Sequence, residues 1–276
     1  MYNVEVVSAV TGESFAVFEQ EEFADASVKA LKQRLAKQIG LPRFRLQLLQ
    51  DNSPLDDDQT LASGVVQLVK MDLLPRDAEQ DREMIVACEE NDDKLLEKHL
   101  NKPRNPNFED VNGITPLCAA SLHGSLKCVS LLIEAGANID QGTTDDGTTA
   151  LFVAALNGHL EVVRFLVESG ASKDQCTTDN GVTPLFVAAH QGHLEVVRFL
   201  VESGANKDEC TSNDGATPLY AAAQDGHLQV VRFLVESGAN KDQGTATPLS
   251  IAANEGHLEV VRFLVEFGAN KRPRHR

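Results

Sequence analysis

The sequence has no long apolar segment and no secretory leader. No apolar run approaches the roughly 18 residues that a membrane-spanning helix needs, so we expect no membrane partner. The N-terminus, MYNVEVVSAVTGE, has neither a basic start nor a long apolar block, and we therefore expect no signal peptide.

Cysteine is scarce, and basic residues are outnumbered by acidic ones. The five cysteines include no C-x-x-C pair and are odd in number, which favours free thiols in a reducing compartment and predicts a cytoplasmic protein. The 25 basic and 41 acidic residues give a formal net charge of −16. This charge argues against nucleic acid as a partner and favours a protein partner with a basic surface. Nuclear localisation stays open, because the basic tail 271–276 is either a localisation signal or a dangling end.

The signature motifs of common enzymes are also missing. G-x-S-x-G, the P-loop and H-E-x-x-H do not occur. His159-Leu160-Glu161 matches one half of a zinc deaminase signature, but the P-C-x-x-C half is absent. Packed helices lie roughly 8–10 Å apart, whereas zinc ligands lie about 2 Å from the metal. We therefore expect a structural role for His159, His193, His227 and His257, and we expect no catalytic site, metal or cofactor.

The chain instead repeats one motif. Gly113, Gly147, Gly181 and Gly215 follow one another at intervals of 34 residues (147 − 113, 181 − 147, 215 − 181). The motif T-P-L-x-x-A-A-x-x-G-H-L-E-V-V occupies 183–197, and it recurs with small changes at 115–129, 149–163, 217–231 and 247–261. A fixed period of this size is typical of proteins built from stacked repeat units.

Each copy of the motif predicts two short helices. Thr183 is placed to cap the first helix, Pro184 takes its first position, and Gly192 ends it. The second helix, 194–202, is apolar over most of its circumference. Such a helix must be covered on several sides, so we expect each repeat to be buried between its neighbours.

These residues resemble the ankyrin repeat, a helix–turn–helix plus β-turn unit of about 33 residues. The resemblance covers roughly residues 83 to 271 and implies an α-solenoid. Met84 to Leu100 resembles a divergent first repeat, so we expect about six repeats. No polar cap follows the sixth repeat, which leaves two explanations open: another chain covers that end, or the natural protein is longer.

Residues 1 to 74 do not share the motif. Their apolar patterns predict one helix over 27–39, an acidic loop over 51–58, and strands at 2–7, 14–18, 43–49 and 65–73. The segments KALKQRLAKQIGLP and RLQLLQDNSPLDDDQTL resemble ubiquitin, which implies a β-grasp fold. Gln47 stands where ubiquitin has isoleucine, and the segment does not end in Gly-Gly. We therefore expect a fixed ubiquitin-like module that is not conjugated to other proteins.

The ankyrin resemblance also implies where a partner binds, because ankyrin proteins usually bind with their finger tips and with the concave face of their first helices. The implied tip residues are Asp145, Asp146, Asp179, Asn180, Asn213 and Asp214, and the implied concave residues are Leu156, Asn157, His190, Gln191, Gln224 and Asp225. Leu122, His123, Asn254 and Glu255 hold the same concave positions in other repeats. The concave positions vary on a constant frame, which either a readout surface or neutral drift would produce. Acidic tips also fit ordinary turns.

The sequence thus predicts a multidomain α+β protein with a ubiquitin-like β-grasp domain (1–74), a linker (75–82) and an ankyrin repeat domain (83–276). Its predicted function is that of a non-catalytic, monomeric interaction module, whose ubiquitin-like domain couples the bound protein to ubiquitin or proteasome machinery. Two alternatives stay open: an N-terminal targeting fragment of a larger enzyme, such as a ubiquitin ligase or a kinase, and an inert structural scaffold. We also expect that reversing the charge of the four tip aspartates weakens partner capture and leaves the melting temperature nearly unchanged.

Overall fold

The computed structural model of the chain describes residues 3–10, 14–19, 27–61, 64–244 and 246–268. A small sheet with one helix comes first, and a series of helix pairs follows. No helix within these ranges is long and apolar enough to cross a membrane. The basic tail 271–276, with its open localisation role, lies outside the described residues.

The N-terminal part is a five-stranded sheet packed against one helix. Its elements are β1 (Asn3–Ser8), β2 (Ser14–Glu19), α1 (Val28–Ile39), β3 (Leu46–Gln50), β4 (Ser53–Pro54) and β5 (Gly64–Lys70). The strand order is β2-β1-β5-β3-β4, and β1 pairs with β5 in parallel while the other pairs are antiparallel. The helix predicted over 27–39 is present as α1, and Ser27 caps it by accepting a hydrogen bond from the amide of Ala30.

Residues 43–49 differ from the single strand that the sequence predicts. Arg43–Arg45 form a 3-10 turn, closed by a hydrogen bond from the Arg45 amide to the Pro42 carbonyl, and β3 begins only at Leu46. The turn follows Pro42. Phe44 belongs to the hydrophobic cluster of the helix pairs and not to that of the sheet, so the turn directs this side chain away from the sheet core. The predicted loop 51–58 also contains β4, and the last strand ends at Lys70.

The described residues form six helix pairs after the sheet. The pairs are α2 (Ala78–Glu89) with α3 (Asp93–Leu100), α4 (Pro116–Leu122) with α5 (Leu126–Glu134), α6 (Ala150–Leu156) with α7 (Leu160–Glu168), α8 (Pro184–His190) with α9 (Leu194–Glu202), α10 (Pro218–Gln224) with α11 (Leu228–Glu236), and α12 (Pro248–Asn254) with α13 (Leu258–Glu266). The first helices stack into one row, from α2 to α12, and the second helices into another, from α3 to α13. One hydrophobic cluster runs through all the pairs, so the predicted burial of each repeat between its neighbours is confirmed.

The helix starts follow the motif. The Thr183 hydroxyl accepts a hydrogen bond from the amide of Phe186, and Pro184 occupies the first turn. Such a cap contributes about 1 kcal/mol. The first pair begins earlier than predicted, because Asp77 caps α2 and an acidic first turn favours the helix N-terminus. Residues 78–82 of the predicted linker are therefore helical.

Candidate protein-binding surface

Each inter-helix histidine joins its helix pair to the preceding pair. His159 Nε2 lies 2.9 Å from the carbonyl oxygen of Leu122, the last residue of α4. The same contact, at 2.8 to 3.0 Å, recurs in the later pairs: His193 with Leu156, His227 with His190, and His257 with Gln224. These carbonyls lie at helix C-termini, where no intrahelical donor is available. The predicted structural role of the histidines is confirmed.

The glycine before each histidine makes room for the next pair. Gly192 has a φ of +75°, a conformation that side chains disfavour. A Cβ at this residue would lie 2.6 Å from Nδ1 of His227. The Gly-His part of the motif therefore holds successive repeats together. Among the described residues, no group of three or more His, Cys, Asp or Glu side chains could hold a metal ion.

The finger tips are hairpins that aspartates close from inside. Asp146 Oδ1 accepts hydrogen bonds from the Thr143 hydroxyl at 2.7 Å and from the Thr148 amide at 3.0 Å. Partial burial alone would raise the pKa of Asp146, but the hydrogen bonds from Thr148 and Thr143 outweigh it and hold the pKa below its usual value. In the Asp214 hairpin, the hydrogen bond from the Thr211 hydroxyl lowers the pKa of Asp214 in the same way.

The remaining tip residues are oriented differently. Asp145, Asp179 and Asn213 are exposed, and Asn180 is half-buried in contact with Asn213. Neighbouring tips are joined by backbone hydrogen bonds, including one of 2.8 Å from the Ser212 amide to the Asn180 carbonyl. The tips therefore form a continuous edge.

The hairpins also correct the expectation that reversing all four tip aspartates leaves the melting temperature nearly unchanged. Asp146 and Asp214 accept hydrogen bonds that close their hairpins, so charge reversal there should lower stability. Asp179 also accepts hydrogen bonds of 2.6 Å, from the backbone amide and the side-chain amide of Asn180. The expectation therefore stands only for the exposed Asp145.

The predicted concave residues lie at the C-terminal ends of α6, α8 and α10. Leu156, His190 and Gln224 end these helices and are half-buried, whereas the following residues, Asn157, Gln191 and Asp225, are exposed. The equivalent residues Leu122, His123, Asn254 and Glu255 are also exposed.

The structure brings two of the concave residues together. His190 Nδ1 lies 2.5 Å from Asp225 Oδ2, which bridges neighbouring pairs. Asn157 instead donates to the carbonyl of Val153 in its own helix, at 2.8 Å. Gln191 is exposed between these positions. The first-helix row therefore presents the paired His190 and Asp225 beside the exposed side-chain amides of Asn157 and Gln191.

Comparison with protein families gives a match to ankyrin repeats in three copies, at residues 84–175, 171–245 and 203–275. This chain belongs to the ankyrin repeat proteins. Among solved structures, it is similar to the human ASB11 ankyrin repeat domain, with 31% identity, a TM-score of 0.63, and coverage of 68% of this chain and 85% of that chain. A search of curated proteins finds no match. Ankyrin repeats form protein–protein interaction modules, and these are typically non-catalytic.

The sequence analysis missed a contact that recurs along the second helices of the ankyrin repeats. Arginine guanidinium groups lie 4.6 to 4.8 Å from the ring centroids of phenylalanines in the following pair: Arg164 over Phe199, Arg198 over Phe233 and Arg232 over Phe263. The repeated Arg-Phe dipeptide was the signal. The sequence also held no sign that Arg43 is buried, with ion pairs to Asp57, Glu97 and Glu134, because nothing near it distinguishes it from a surface arginine.

Proposed function

We propose that this protein captures a protein partner on the tips and first helices of its ankyrin repeats, and that its N-terminal domain couples that partner to ubiquitin or proteasome machinery. One observation carries the first step. Asn157, Gln191 and Asp225 follow α6, α8 and α10 on nearly the same backbone geometry, yet they present different exposed polar groups. A recognition surface of stacked repeats needs side chains that differ from repeat to repeat on a backbone that stays the same.

The charge of this surface favours a basic partner. Asp145, Asp179 and Asp225 are exposed, and Asp146 and Asp214 have lowered pKa values and stay ionised at neutral pH. The whole chain carries a formal charge of −16, so its field attracts cationic surfaces over a distance set by the salt concentration. We therefore propose a partner whose contact surface is rich in lysine or arginine.

The coupling step rests on the proposal that the N-terminal part is a ubiquitin-like β-grasp domain, from residue 1 to residue 74. Parallel pairing of β1 with β5 and the packing of α1 against the sheet support it. Val10 is 93% exposed, and Gln47 lies opposite Val69 in the pairing of β3 with β5. The proposed docking surface for ubiquitin machinery consists of the sheet face that carries Gln47 and the turn that carries Val10. The basis of this proposal is the resemblance of the fold to ubiquitin.

We further propose that the protein acts as a monomer in the cytoplasm. All five cysteines are free, and Cys176 is exposed. A persistent exposed thiol fits a reducing compartment. The proposed division into a domain, a short linker and ankyrin repeats is that of the sequence, with the first repeat extended back to Ala78.

The test uses full-length protein as bait in cell lysate, followed by quantitative mass spectrometry. Asp145→Arg with Gln191→Arg changes the exposed tip and first-helix surface, whereas Val10→Glu with Gln47→Glu changes the sheet surface. Glu202→Arg is the matched control, because Glu202 is exposed on the second-helix row.

We expect the first variant to lose its protein partner and keep ubiquitin-pathway proteins, and the second variant to do the reverse. Glu202→Arg should keep both sets. Capture that is unchanged in both test variants would contradict the proposed function, and loss of the partner alone would support binding without coupling.

A further inference from the structure

Arg43 is buried at the boundary between the N-terminal domain and the ankyrin repeats. Its side chain is 1% exposed, and its Nη1 lies 2.6 Å from Asp57 Oδ2 within its own domain. Across the boundary, Nη2 lies 2.7 Å from Glu97 Oε1 on α3, and Nε lies 2.9 Å from Glu134 Oε2 on α5. The Nε contact lacks hydrogen-bond alignment, so it is an ion pair only. A buried guanidinium is tolerated only when it is paired in this way.

Two neighbouring residues of α1 reinforce the same carboxylates. Lys29 Nζ lies 2.6 Å from Glu97 Oε1, and Gln33 Nε2 donates to Glu134 Oε1 at 2.8 Å. Each carboxylate therefore contacts Arg43 and one residue of α1, but of the two only Glu97 accepts a hydrogen bond from Arg43. Planar carboxylate recognition by arginine fixes orientation as well as distance.

Apolar and backbone contacts close the boundary around Arg43. Phe44 is buried in the hydrophobic cluster of the helix pairs, and the Arg43 guanidinium lies 3.7 Å from its ring centroid. A Cβ at Gly136 would lie 2.8 Å from Pro42 Cγ, so the turn after α5 touches this proline. The Leu74 amide donates to the Pro103 carbonyl at 2.7 Å. The connecting segment is thus tied to the repeats as well.

The later repeats carry a different residue at the position of Glu97, which pairs with Arg43. Arg164, Arg198 and Arg232 occupy the sixth residue counted from each helix cap (His159, His193 and His227). Counted in the same way from Asp92 and Ser125, this position holds Glu97 in α3 and Ser130 in α5. The first pair thus has an acidic residue where the later pairs have a basic one, and the second pair has a short polar residue there.

The acidic residue at this position makes the first pair complementary to Arg43. On the third, fourth or fifth pair, Arg43 would meet an arginine in place of Glu97, and like charges would repel. Glu134 keeps the residue type of its equivalents, but Glu168, Glu202 and Glu236 are exposed, whereas Glu134 is paired with Arg43. The docking position is therefore specified by the sequences on both sides of the boundary.

We infer that the outer surface of α3 and α5 is a docking site for this chain's own N-terminal domain, and that Arg43 locks the domain and the repeats into one rigid body. This surface is consequently closed to other proteins. The finger tips, the first-helix row and the sheet residues Val10 and Val65 stay exposed. Two proteins bound to the domain and to the repeats would be held at a fixed distance. The inference stands whether or not either surface binds the proposed partners.

The test replaces Glu97 with arginine, the residue that the later repeats carry at the same position. Glu97→Arg in the full chain opposes Arg43 with a like charge and leaves the Arg43–Asp57 pair intact. Spin labels on noncanonical residues at Asp51 and Glu202, which are both exposed, report the distance between the two parts by pulsed electron paramagnetic resonance. Amide hydrogen exchange in α3 and α5 reports the docking surface itself.

We expect one narrow distance distribution for the native chain and a broad one for Glu97→Arg, with exchange in α3 at least tenfold faster. Glu168→Arg makes the same change at an exposed second-helix glutamate and should behave as the native chain. In a background that carries both Arg43→Met and Lys29→Met, Glu97→Arg should add little, because both cations that pair with Glu97 are gone. A narrow distribution and native exchange rates in Glu97→Arg would overturn the inference.

Discussion

The first and the last described helix pairs differ in how far other residues cover them. At the N-terminal end, a folded domain covers α3 and α5 through a buried arginine and Phe44. At the other end, α13 presents Leu258, 68% exposed, and Phe267, 48% exposed, whereas Leu228 in the preceding pair is half-buried. The α13 helix keeps the LEVVRFLVE sequence of α7 and α9, whereas α3 and α5 have other sequences, so the two ends differ both in their helices and in what packs on them. The motif specifies a unit that needs cover, and it does not supply that cover.

The largest expected effect comes from removing the cover at the N-terminal end. Arg43→Met leaves Asp57, Glu97 and Glu134 close together without their shared cation, so we expect a loss of about 3 kcal/mol in the free energy of unfolding. Urea unfolding followed by circular dichroism measures it.

Arg45→Met is the matched control for this change. Arg45 is two residues away. Its Nε donates to the Met71 carbonyl at 3.0 Å, and its carboxylate contact, to the fully exposed Asp72, is 3.9 Å long. The loss of that one hydrogen bond should cost about 1 kcal/mol. Equal losses in the two variants would show that the buried ion pairs of Arg43 contribute no more than this single hydrogen bond.

The second prediction compares the same substitution inside the stack and in its last described pair. Gly226 and Gly256 have φ values of +74° and +81°, so an alanine at either position pays the cost of a left-handed backbone, roughly 1 kcal/mol. A Cβ at Gly226 would meet His257 Nδ1 at 2.5 Å, whereas Gly256 has nothing within 4 Å. We expect Gly226→Ala to cost about 2 kcal/mol more than Gly256→Ala, because it displaces the histidine that joins the pairs.

Urea unfolding of the two variants side by side measures this difference, and each variant serves as the control for the other. Similar losses would mean that the histidine contact adds little to the repeat stack. They would also mean that the free space around Gly256 does not make its substitution less costly than that of Gly226.

Sequence reasoning succeeded where the determinants are local. The Thr-Pro start of α4, α8, α10 and α12 and the Gly-His turn of the later pairs lie within a few residues of what they specify, and the structure has both as predicted. It failed for Arg43, because Glu97 and Glu134 lie 54 and 91 residues further along the chain (97 − 43 and 134 − 43). It also could not separate Asp145 from its neighbour Asp146, since only the folded hairpin decides which carboxylate turns inward.

The smallest expected effect concerns the arginines of the second-helix row. Arg232 stacks over Phe263 at 4.8 Å, whereas no ring contact is described for Arg262, whose helix is the last in the described residues. A guanidinium–ring contact at an exposed site contributes about 0.5 to 1 kcal/mol. We therefore expect Arg232→Met to lower the free energy of unfolding by about 0.5 kcal/mol and Arg262→Met to leave it unchanged, as measured by paired urea titrations.

A double-mutant cycle isolates the ring contact from the other effects of losing an arginine. In a Phe263→Leu background the difference between Arg232→Met and Arg262→Met should disappear, because the ring that distinguishes them is gone. If Arg262→Met instead costs as much as Arg232→Met in the native background, the arginines act through their own helices. The stacking along the second-helix row would then add nothing between pairs, and cover by the next pair would matter only through apolar burial and the histidine contact.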